Sequence, residues 1–234
     1  MSNLCSYKFI MKKIDAYKDQ AIANLTGKWG SAALYTLIYL FIYQGISWGV
    51  QSFLGTESGA IFNLVWILAC LPIGWSYTVS FLGLTRGEEL KTSRLFEGYN
   101  DVIRIAFAYI IYASICLIGT LLFIIPGIIA GLMYSQIPYI LKDNKEMGVI
   151  DALRRSREMM AGHKMNLLLL ILSFIGWIIL VALTLGLGLL LLEPYMQTTL
   201  AHYYEDLKAE NGEFQTVNKP TEDSGFDFEE TSLH

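Results

Sequence analysis

The chain has 234 residues, 54% of them hydrophobic and only 16% charged, against roughly a quarter charged in ordinary soluble domains. Mean hydropathy is +0.44, and residues 29–54, 60–84 and 167–192 hold no Lys, Arg, Asp or Glu. Runs of that length reach the about 20 apolar residues a membrane-crossing helix needs, which excludes an ordinary soluble domain, and a net charge of −4 suggests no nucleic-acid partner.

In chain order, residues 1–28 form a basic amphipathic segment with Lys8, Lys12, Lys13, Lys18 and Lys28. The apolar run that follows is too long for the hydrophobic region of a cleaved signal peptide, so it is expected to stay in the membrane. Six spans are predicted, at about 29–54, 60–84, 102–124, 127–141, 167–183 and 188–204. Residues 208–234 carry seven acidic side chains against Lys208 and Lys219, and a tail so polar is expected to be disordered and on the cytoplasmic side.

The sidedness follows from Lys and Arg, which collect in short cytoplasmic loops. The first loop, 55–59, has Glu57 and no basic residue, whereas 85–101 has Arg86, Lys91 and Arg94 with Arg104 just beyond, and 142–166 has Lys142, Lys145, Arg154, Arg155, Arg157 and Lys164. Basic segments on one side require an even number of crossings between them. Residues 102–141 are therefore a hairpin turning near Ile125-Pro126-Gly127, and 167–204 is another turning at Thr184-Leu185-Gly186-Leu187-Gly188. The fold class is all-α: a six-helix transmembrane bundle of three hairpins with cytoplasmic interfacial helices and both termini inside. A five-span arrangement with the tail outside strands Lys208 on the wrong side.

The hairpins resemble one another, a kind of repetition best sought early. Each begins after a glycine-bearing segment, Leu25-Thr26-Gly27-Lys28, Phe96-Glu97-Gly98-Tyr99 and Met160-Ala161-Gly162-His163. Each leaves through a tyrosine, at Tyr77, Tyr134 and Tyr195, with Gln136 and Gln197 at matching offsets. Interfaces favour Gly, Tyr and Lys in any case.

Few positions carry chemistry. Cys5, Cys70 and Cys116 suggest neither a disulfide framework nor a zinc site, and His163, His202 and His234 show no metal-ligand spacing. No cofactor and no catalytic set is expected. The sharpest candidate is an intramembrane polar site at Glu193, Gln197 and Gln136, because an ionisable group within a span is costly and therefore usually functional or paired. Two benign readings compete for Glu193: a lower-lying turn that leaves it at the outer surface, or a cap on an interfacial helix starting at Pro194. Pro72, Gly74, Pro126, Gly127, Pro138 and Pro194 are candidate helix breaks, read either as kinks around a cavity or as turns and packing contacts. Residues 148–161 are expected to form an amphipathic helix on the inner leaflet. There Arg154, Arg155, Arg157 and Lys164 would meet anionic lipid headgroups or, as the minority reading, a protein partner.

The run Ile125-Pro126-Gly127, Tyr134-Ser135-Gln136, Leu141-Lys142-Asp143-Asn144, Asp151-Ala152-Leu153-Arg154-Arg155-Ser156-Arg157 and Met160-Ala161-Gly162-His163-Lys164, closing with Pro194-Tyr195-Met196-Gln197-Thr198-Thr199 and Tyr204-Glu205-Asp206-Leu207, resembles the bacterial domain-of-unknown-function family 975. A more distant likeness over 126–164 is to the membrane domain attached to some bacterial glycerophosphodiester phosphodiesterases, whose catalytic part has no counterpart here. The resemblance implies a bacterial plasma-membrane protein of unassigned function. It also implies a natural start at Met11-Lys12-Lys13, and the chain departs from that family at Glu193, where the family carries an apolar residue. The resulting expectation is a non-enzymatic accessory module that binds lipid or a membrane protein. The alternative is a small transporter or export factor for a lipid, peptide or amphiphile.

Overall fold

A computed structural model describes the backbone of residues 2–46, 48, 49, 52 and 56–218, with side chains from residue 13 to residue 212 apart from a stretch around 47–64. Every regular element among the described residues is helical. In order they are α1 (Ser2–Leu25), α2 (Trp29–Leu40) running into a single π turn (Phe41–Gly45), α3 (Thr56–Thr85), a 3-10 segment (Thr92–Asp101), α4 (Val102–Leu122) and α5 (Ile124–Met133). There follow α6 (Ile137–Asp143), α7 (Val149–Met159), α8 (Lys164–Leu172), α9 (Ile175–Leu183) and α10 (Leu189–Asn218). Part of the predicted span 29–54, the loop at 55 and the tail from 219 lie outside the described residues.

Among the described residues, four stretches are long and apolar enough to cross a membrane: Val65–Thr85, Thr92–Leu122, Ile124–Asp143 and Lys164–Leu183. Their exteriors are apolar, with Ile103, Leu121 and Leu183 exposed. A contiguous apolar surface of this kind suits lipid rather than water.

The last helix is the centre of the packing. α10 touches α1, α2, α3, α7 and α9, and it is buried along Leu192, Tyr195, Thr198, Thr199, Ala201, Tyr203, Tyr204 and Leu207. The helical spacing of those residues explains why a segment with a proline and an acid in it still forms one continuous rod. α1 lies along its far half through Ile14, Tyr17, Ala21 and Leu25, a stripe at three- and four-residue spacing. The segment after Leu207, expected to be disordered, is therefore helical to Asn218, because α1 packs against its first turns and Lys13 pairs with Asp206 and Glu210.

Several expected breaks are something else. The chain reverses at Phe123, whose extended backbone separates α4 from α5, and not at Ile125-Pro126-Gly127. Pro126 sits in the first turn of α5, where its missing N–H costs nothing. Gly127 serves close approach: a Cβ there would collide with Thr120 of α4. Pro72 lies inside α3, and Gly74 faces Tyr39. Pro138 starts α6. Pro194 is inside α10, so no helix begins there.

The three entry glycines divide by mechanism. Gly27 and Gly162 have φ of +79° and +83°, the left-handed conformation that ends helices and that side chains resist. Gly98 instead lets the 3-10 segment lie against α3. Its N–H donates to Ser76 Oγ at 2.7 Å, and a Cβ would collide with the Pro72 carbonyl.

Candidate functional site

A cavity of about 280 Å³ lies where α3, α4, α8 and α10 meet the break between α5 and α6. Its wall combines Tyr109, Tyr112, Tyr134 and Tyr139 with Thr78, Ser135, Gln136 and Gln197, over an apolar base that includes Ala108, Leu167 and Leu200. The break itself, Tyr134-Ser135-Gln136, interrupts the stretch Ile124–Asp143. Irregular backbone at such a depth persists where it is buried in protein or lines a cavity, and this segment does both.

Gln136 is 2% exposed. Its Nε2 donates to Ser135 Oγ at 2.8 Å, and Ser135 Oγ donates in turn to the Leu132 carbonyl at 2.8 Å. The serine proton is thereby spent, so Ser135 can only accept and the amide nitrogen must face it. Gln136 Oε1 is then left as a buried acceptor with no partner among the described residues. Such an atom carries a cost of about 1–3 kcal/mol.

On α10, Gln197 Nε2 donates to Glu193 Oε1 at 3.0 Å across one helical turn. Of the predicted polar site, then, Gln136 and Gln197 line one cavity, while Glu193 stands a turn away as the partner of Gln197. Pro194 beside it removes one backbone donor from the first turns of α10, and Thr198 Oγ1 donates to the Pro194 carbonyl at 2.7 Å.

About 10 Å further along α10, at 1.5 Å per residue, the chemistry changes to charge. Asp143, its side chain 8% exposed, accepts from Arg86 Nη1 at 2.7 Å and Nη2 at 2.9 Å, from Tyr204 Oη at 3.0 Å and from Lys208 Nζ at 2.5 Å. Arg86 Nε also donates to Glu205 at 2.6 Å. These bonds raise the affinity of Arg86 for its proton, with the Asp143 hydrogen bonds as the main cause and burial opposing them. Lys142 pairs with Glu97, Arg104 donates to the Asn144 and Met147 carbonyls, Lys13 holds Asp206 and Glu210, and His163 lies 3.6 Å from Glu210. Separate ion-pair clusters thus bring the basic segments to the same end of the bundle. Two contacts link it to the cavity wall: Tyr139 stacks on Tyr204 with ring centroids 5.0 Å apart, and Trp75 Nε1 donates to the Pro138 carbonyl at 3.1 Å.

The predicted basic surface splits. Arg154 and Arg155 line a groove of about 550 Å³ with Asn144, Asp151, Glu158 and Lys208, and Arg154 pairs with Asp151. Arg157 and Lys164 lie outside that groove. α7 buries Leu153, Ser156 and Met159, with Met160 just past its end, and Ser156 Oγ donates to the Met133 carbonyl at 2.9 Å. Among the described residues, no group of three or more His, Cys, Asp or Glu side chains is placed to hold a metal.

Tyr109, Tyr112 and Tyr139 were not singled out from the sequence, and Tyr134 and Asp143 entered only as repeat or family-resemblance positions, not as site residues. Tyrosines are ordinary at membrane interfaces, and Asp143 next to Lys142 reads as a routine loop charge. The one available signal was the irregular Tyr134-Ser135-Gln136 segment just before Pro138.

Fold and cavity together define a class: an all-helical protein with helices able to cross a membrane. Over residues 102–211 the chain matches the model of the family described as "Protein of unknown function (DUF975)". That matched stretch holds most of the cavity wall and Asp143. No curated protein and no solved structure matches.

Proposed function

We propose that the chain is a multi-pass protein of the bacterial plasma membrane, with six spans in three hairpins and both termini cytoplasmic, and that it acts as a non-enzymatic module binding a lipid or similar amphiphile inside its bundle. The observation that carries the binding role is the cavity at Gln136. Its mostly apolar wall carries a few amides, phenols and hydroxyls, groups that recognise by hydrogen bonding and stacking. The gathering of the basic segments at one end supports the topology, since positive loops stay on the cytoplasmic side. Arg157 and Lys164 then lie near anionic headgroups, where each contributes about 1 kcal/mol of attraction. A membrane-protein partner on the apolar exterior is compatible with the same placement.

Extraction of the full chain into nanodiscs from native membrane, followed by lipid and protein identification, tests the role. One amphiphile class enriched over the bulk membrane is the expected result; bulk composition with nothing enriched defeats it. Single cysteines at Glu57 and Thr184 in a cysteine-free background should react with an impermeant maleimide from outside, and one at Lys145 should not. A transporter is the second reading, favoured by the Glu193-Pro194 pair inside α10. It predicts that Glu193→Gln abolishes ion-coupled transport, whereas a binding module keeps its amphiphile.

A further inference from the structure

We propose that the cavity around Gln136 is a headgroup site for an uncharged amphiphile bearing free hydroxyl groups. This rests on the binding role above and assigns its ligand chemistry. Both amides offer the same face. The serine-fixed orientation of Gln136 leaves Oε1 without a donor, and Gln197 has its nitrogen committed to Glu193, a carboxylate that can only accept when ionised. No hydrogen bond reaches Gln197 Oε1 from the described residues. The two acceptors differ in access. Gln136 Oε1 is sealed within the wall as the structure stands and meets a ligand only when its side chain turns. The call for a ligand that donates, which a hydroxyl does, is therefore carried first by the half-buried Gln197.

The same wall argues against charge. None of the lining residues is Asp, Glu, Lys, Arg or His. A phosphate would be buried there without a cation, and a buried unpaired ion is far costlier than a buried hydroxyl that finds an acceptor. Tyrosine rings supply flat faces for the C–H surface of a polyol or sugar ring. The volume, about 280 Å³, sits near the lower limit of roughly 300 Å³ for small-molecule sites, enough for one headgroup and not for acyl chains. Those chains have a way out: Ile171, one of the lining residues, is itself 39% exposed. This places the source of the ligand in the bilayer.

The test uses the full chain in phosphatidylcholine nanodiscs doped in turn with dioleoylglycerol, its hydroxyl-methylated ether and phosphatidic acid, with bound lipid read by native mass spectrometry. Dioleoylglycerol should be retained about tenfold better than the methyl ether, the effect of one lost hydrogen bond. Gln136→Leu should lose the same factor. Gln197→Leu gives a second reading should the first variant fold poorly, and melting without dopant no lower than the parent's marks a folded variant. Preferential retention of phosphatidic acid or phosphatidylcholine, equal binding of the methyl ether, or full retention by both folded variants overturns the assignment. Displacement of the lipid by free glycerol overturns the bilayer source. Each of these leaves the binding role standing, whereas a chain that brings no enriched amphiphile out of native membrane defeats that role itself.

Discussion

The charged end of the bundle and the cavity about 10 Å away solve the same problem in opposite ways. At the charged end both oxygens of the nearly buried Asp143 have partners, Oδ1 one and Oδ2 three, so the network locks α3, α6 and α10 together. In the cavity a nearly buried amide keeps an oxygen with no partner. One region is completed by the fold, and the other is left incomplete by it. The contrast separates positions selected for holding the helices from positions that the fold alone does not explain.

The sharpest way to break this comparison is at Arg86. Arg86→Ala strips the bidentate partner from a carboxylate that stays largely out of water, and it should destabilise the protein by about 2–3 kcal/mol, below the 3–5 for fully buried pairs because Arg86 itself is a third exposed. Asp143→Ala should cost less, about 1–2 kcal/mol, since the guanidinium left behind can hydrate and still holds Glu205. Thermal melting in nanodiscs gives both values, and the reverse order would show that the carboxylate is better solvated than its burial indicates.

Gly98→Ala should follow, at about 1–3 kcal/mol, because the added methyl meets the Pro72 backbone carbonyl, which cannot swing away as a side chain could. Loss of the Gly98 N–H to Ser76 bond would show as faster amide exchange there.

Gln136→Leu should change sign. Removing an unmatched acceptor relieves a desolvation cost, so the ligand-free protein should be unchanged or up to about 1 kcal/mol more stable. A clear destabilisation would mean that the cavity amide is structural and that the two regions do not differ in kind.

The smallest effect is expected at Glu88. Its hydrogen bond with Arg94 holds the carboxyl below its ordinary value of 4.5, burial opposing. A carboxyl with a lowered folded-state pKa adds stability above its unfolded value and loses it as the pH falls through the folded one. Glu88→Gln should therefore melt slightly below the parent at neutral pH, and the difference should vanish under acid. The pair is exposed, so a shift near the limit of detection is expected.

Much of the architecture was legible because the relevant signals are local. Uncharged runs such as 60–84 reveal helix-length apolar segments without any knowledge of neighbours, and Lys and Arg bias marks which segments share an end. Ion pairs onto Asp143, Glu205, Asp206 and Glu210 do bring Lys13, Arg86 and Lys208 to one end. Gln136 and Gln197 stood out in the sequence by their matching offsets from the exit tyrosines, and both line one cavity. What could not be read was partnership. Asp143 resembles any loop acid until Arg86, 57 positions earlier, and Lys208, 65 positions later, are folded onto it. Gly127 and Pro126 read as a turn because that dipeptide usually is one, yet here a glycine for close helix contact stands next to a proline in a helix's first turn.

The sequence by itself determined the helical class, the apolar stretches able to cross a membrane, the common end of the basic segments and the family resemblance, since each depends on composition and spacing along the chain. Only the tertiary structure decided that α10 is the central helix, that its acidic continuation is ordered by α1, and that Gln136 and Gln197 share a cavity with unmatched acceptors. Those outcomes depend on which side chains meet across long sequence separations, and burial assigns each polar atom its partner, or leaves it without one, only once the helices are packed.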